Sequence, residues 1–72
     1  MTRRMQGERE RRGMTRAALA RKADMSAGTV GQIESGYIGK PYPVQLSKIA
    51  AALGWEGDPS ELLEEASDDA RH

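Results

Sequence analysis

"RAALARKADMSAGTVGQIESG", Arg16 to Gly36, is the stretch on which the reading of the whole chain turns. Thr15 offers a hydroxyl in front of Arg16, and Ser26 offers one in front of Ala27, the residue types that cap helix N-termini. Leu19, Ala20 and Ala23 share one face of a short helix over Arg16–Ala23, and Val30 and Ile33, three apart, mark the inward face of another over Ala27–Ser35. Gly36 closes the second helix. Only Asp24-Met25-Ser26 lies between them.

Two short helices joined by three residues form a helix-turn-helix when they cross steeply. The crossing demands something small, which Ala20 supplies. Leu19, Ala23, Val30 and Ile33 fill the interior, and the second helix stands free to enter a groove. One feature resists this reading. Gly28 and Gly31 lie inside the second helix, where each costs about 1 kcal/mol relative to alanine.

Outward from this unit the chain stays helical, with no alternating apolar stretch and no Phe. A first helix is predicted from Arg3 to Arg12, stopping at Gly13, with Met5 facing inward. "YIGKPYP", residues 37–43, is a loop, because its glycine and prolines break regular structure. A fourth helix, Val44 to Leu53, carries the cleanest helical period in Leu46, Ile49, Ala50 and Leu53. Pro43 suits its first turn and Gly54 its end. Asp58 and Pro59 start a short fifth helix, Ser60 to Ala66, presenting Leu62 and Leu63. These elements predict an all-α, five-helix domain over residues 1–66 and a disordered tail over 67–72.

Composition excludes several classes. With no cysteine there is neither a disulfide framework nor a thiolate metal site, and the single histidine is His72. No nucleophile–base–acid set can be assembled, so no enzyme, cofactor or metal is expected. No apolar run approaches the roughly 20 residues of a membrane span. Met1-Thr2-Arg3-Arg4 lacks the hydrophobic stretch of a signal peptide, so a cytoplasmic protein is expected. Net charge is zero but polarised: residues 1–40 hold nine basic and four acidic side chains, residues 41–72 two and seven. A cationic face and an anionic end point to a polyanionic partner.

In order and spacing, Arg12-Gly13-Met14-Thr15, Leu19-Ala20, Ile33-Glu34-Ser35-Gly36 and Leu46-Ser47-Lys48-Ile49-Ala50…Ala52-Leu53-Gly54 resemble the Cro/phage-repressor (XRE-like) helix-turn-helix regulators. The similarity covers about Met5 to Leu63. It implies a lambda-repressor-like DNA-binding domain and a transcriptional regulator, with repression the expected mode. By position, it implies that Arg16 contacts a phosphate, that Ser26 caps the recognition helix, and that Ala27, Gly28, Thr29 and Gln32 face the bases. Lys40 becomes a phosphate ligand, Tyr42 a neighbour of the minor groove, and Arg9 with Glu34 a structural ion pair. Arg3 and Arg4 are placed as an arm on the DNA backbone.

The chain departs from the family pattern in three places. Asp24 stands where the turn usually has glycine, and Glu8 where the first helix usually has an apolar anchor. The reading positions are nearly bare, with only Gln32 long enough for a bidentate contact to adenine and Thr29 able to meet a thymine methyl. Small residues that let the helix lie deep predict salt-dependent binding of modest specificity. The alternative is a fold used for protein interaction, as an antitoxin or a polymerase-binding factor; a third reading is glycine merely tolerated by packing. One unit reads a half-site, so a homodimer on DNA is expected, with RNA polymerase as a further partner. Leu62 and Leu63 are its candidate surface, unless the core consumes them.

Overall fold

The structure, a computed structural model, describes residues 3–65. Four α-helices follow in order: α1 (Arg4–Arg11), α2 (Arg16–Ala23), α3 (Ala27–Ser35) and α4 (Pro43–Leu53). The predicted tail, residues 67–72, lies outside the described residues. No strand forms among the described residues, which hold only a single antiparallel bridge between Arg3 and Glu65.

The fifth helix, expected over Ser60–Ala66, is a correction: Pro59–Leu63 is a short 3-10 helix and Ala66 lies outside the described residues, which hold four α-helices rather than five. Asp58 caps the turn, its carboxylate accepting from the Ser60 N–H at 3.0 Å. Glu64 then goes extended, and its carbonyl accepts from the Arg4 N–H at 2.7 Å. That pairing with the start of α1 pulls the chain out of helical geometry before a second turn forms.

Helix starts and stops follow side-chain chemistry. Thr15 accepts from the Ala18 N–H at 3.0 Å and Ser26 from the Thr29 N–H at 3.1 Å, each satisfying an otherwise orphan donor. Three helices end in one way, with a left-handed residue followed by an N–H bonded five residues back. Gly13 precedes Met14 (to Arg9 O), Asp24 precedes Met25 (to Ala20 O), and Gly54 precedes Trp55 (to Ala50 O). The residue after each left-handed position is half-buried and packs on the core, the apolar contact that usually accompanies this motif. Asp24, at φ 58°, is the one non-glycine residue there among those described.

Met5, Leu19, Val30, Ile33, Ile49 and Leu62 have no exposed surface and form the centre of the core. Ala20 and Ala23, both buried, sit where α2 meets α3 and α4. Leu62 belongs wholly to this core, which removes it from the expected dimer surface; Leu63 is half-buried against the same core. Glu8 is buried at the rim of α1, and its carboxylate takes Arg12 at 2.6 Å and Arg11 at 3.1 Å.

Candidate nucleic-acid interface

The interface begins with a buried charge. Glu34, on the inward side of α3, has a fully buried side chain. Arg9 of α1 donates to it at 2.5 Å through Nε, and Arg16 of α2 at 2.9 Å through Nε. Arg9 also donates to the Met14 carbonyl at 2.7 Å. Charge-assisted bonds of this kind are directional as well as strong, so one carboxylate fixes three helices relative to each other. No buried side-chain nitrogen or oxygen among the described residues lacks a partner.

With its inner edge so held, α3 turns a continuous face to solvent. Arg16, Ala27, Gly28, Gly31, Gln32, Ser35 and Tyr37 line a shallow groove of about 490 Å³. Ala27, Gly28 and Gln32, three of the four expected base-facing residues, meet there. Thr29 does not, because its hydroxyl accepts from the Ser26 hydroxyl at 2.8 Å, beside the cap. Lys40 and Tyr42 are exposed in the segment between α3 and α4, outside the groove lining. Ser35 and Tyr37 were missed. Tyr37, 81% exposed, directly follows the left-handed Gly36, and a large aromatic side chain stranded after a helix stop was the available signal.

Neither glycine is imposed by crowding. A Cβ on Gly28 would meet open space, and one on Gly31 would meet only the Arg16 side chain, from 3.7 Å, an ordinary contact. Arg16 lies across α3 at that point.

The cationic face is thinner than the charge count suggests. Arg3, expected in an arm on the DNA, has its guanidinium donating to the carbonyls of Ile33 (3.1 Å), Ile38 (3.3 Å) and Gly39 (3.1 Å), tying down the end of α3 and the following loop. Arg4 lies 3.6 Å from Glu64, and Arg11 and Arg12 are held by Glu8. Arg21 and Lys22 line a second open groove of about 620 Å³ with Arg12 and the end of α4, separate from the groove on α3. Among the described residues no helix is long and apolar enough to cross a membrane, and no group of three or more acidic or histidine side chains converges as a metal site would require.

No curated protein and no solved structure shows significant similarity to the chain. The sequence pattern of the helix-turn-helix domain matches residues 1–63, nearly the whole of the 72. That match and the packing of α2 against α3 agree on one architecture, whose usual work is DNA binding in gene regulation. The chain belongs to the helix-turn-helix domain family.

Proposed function

We propose that this protein is a transcriptional regulator of the Cro/phage-repressor kind, which binds double-stranded DNA through the outer face of α3 and acts without catalysis. The observation that carries the reading is that face itself. It is open along the length of α3, it has Arg16 and Gln32 as polar contacts, and its inner edge is fixed by a buried carboxylate. The mechanism is steric. The helix occupies an operator in the major groove, Lys40 contacts a phosphate beyond its end, and the bound protein blocks or engages polymerase in the cytoplasm.

The five arginines among the first twelve residues each have a partner within the protein, although Arg11 stays 72% exposed. Each phosphate contacted contributes about −0.9 to the slope of log affinity against log salt. Two protomers on a pseudo-palindrome give each a half-site, and Leu62, being internal, takes no part in joining them.

The test is binding of short duplexes followed by fluorescence anisotropy between about 50 and 200 mM salt. Salt-sensitive binding, weakened by Lys40→Ala equally for every sequence, supports the reading. Absence of duplex binding at the lowest salt, together with recovery of a protein partner, would instead favour the protein-interaction use of the fold that the small residues on α3 also suit.

A further inference from the structure

We infer that Arg16, a residue of α2, supplies the base-reading side chain that α3 lacks, and that it reads a guanine. This inference rests on the proposed DNA-binding role and adds to it a specificity-determining residue. The Arg16 side chain lies against Gly31, midway along α3, with Cδ, Nη1 and Nε between 3.7 and 3.9 Å from the place a Cβ would occupy. Its guanidinium thus takes the position of a side chain projecting from α3, in the groove it shares with Ala27, Gly28 and Gln32. It therefore reaches the groove from the α2 side, over the α3 position that Gly31 leaves without a side chain.

The hydrogen-bond inventory of the guanidinium fits a fork. Nε is spent on Glu34 Oε1 at 2.9 Å, and among the described residues Nη1 and Nη2 make no hydrogen bond. Two N–H donors at the free end match the O6 and N7 acceptors of guanine in the major groove. The other end is anchored, because Glu34 is fully buried and also gripped by Arg9. A half-exposed arginine held this way has already lost much of the side-chain freedom that binding would otherwise cost. The glycine at position 31 gains a meaning: with no side chain of its own, it leaves the middle of α3 to a neighbour's.

The experiment is selection of bound duplexes from a random pool at two salt concentrations, with the wild type, Arg16→Lys and Arg16→Ala. Arg9 stays on Glu34 in both variants, and circular dichroism checks that the fold is kept. The wild type is expected to enrich a G·C pair at one position of each half-site. Arg16→Lys keeps the charge but loses the fork, so it should lose that preference by about 5- to 150-fold while keeping the salt slope and the other positions. Undiminished guanine preference in Arg16→Lys overturns the inference. So does an Arg16→Ala variant weakened equally on all sequences with a slope smaller by about 1, the mark of a phosphate ligand. Both outcomes leave the DNA-binding role standing. Duplex retained by the wild type with no G·C enrichment overturns the inference alone; no duplex retained at low salt removes that role, and the inference with it.

Discussion

The two sides of α3 obey opposite rules. On the inner side Val30 and Ile33 are sealed in the core and Glu34 is saturated by two arginines from two other helices. On the outer side stand two glycines, an alanine, a serine and a glutamine; a Cβ on Gly28 would meet nothing within 4 Å and one on Gly31 only the Arg16 side chain. One nine-residue helix therefore separates its two tasks by face. The inner face stores the stability that the outer face does without, so a weak helix former persists as an ordered element. Tertiary packing, not propensity, holds it.

The sharpest way to break this contrast is Glu34→Ala. It strands the Arg9 guanidinium, whose side chain is 10% exposed, and is expected to cost about 3–5 kcal/mol, much of the stability of a domain this small. Denaturant unfolding measures it, and a loss below about 1 kcal/mol would show the buried pair to be incidental. Ser26→Ala removes the cap at the junction of the two faces and should cost about 1 kcal/mol, seen as a melting temperature lower by several degrees. Gly28→Ala sharpens the comparison from the other side. Its Cβ meets nothing, so it should stabilise the fold by up to about 1 kcal/mol; a simultaneous fall in duplex affinity would assign that glycine to close approach by DNA.

The smallest effect lies away from α3, at Asp58. Hydrogen bonds from the Ser60 backbone and hydroxyl hold its carboxyl below the usual aspartate range. A lowered folded-state value means the contribution is present at neutral pH and lost as pH falls through that value. A carbon-detected NMR titration of Asp58 should place its midpoint below that of a free aspartate; an equal or higher midpoint would refute the turn geometry.

What the sequence disclosed was local. Both helices of the central unit were legible to the residue, because Thr15, Ser26, Gly36 and the apolar spacing are encoded within a few positions. The Arg9–Glu34 pair was legible only through family resemblance, being 25 residues apart. What stayed hidden depended on distant partners. Arg3 looked like a free cation because its three carbonyl acceptors lie 30 or more residues away. The 3-10 turn at Pro59–Leu63 carried a helical pattern that only the backbone pairing of Glu64 with Arg4 cuts short. The contact of Arg16 with Gly31 stayed hidden for the same reason, because nothing local shows a side chain of one helix lying against the glycine of the next.

The plugs behind the helix ends carry a chemical liability. Met14 and Met25 cover α1 and α2 from half-exposed positions, whereas Met5 is sealed. A peroxide in solution therefore reaches the thioethers at the hinges of the motif before it reaches the one in the interior. Conversion of Met25 to its sulfoxide would put a polar oxygen under the very corner that sets the angle between the two helices, and oxidative ageing would show itself first as lost affinity and only later as unfolding.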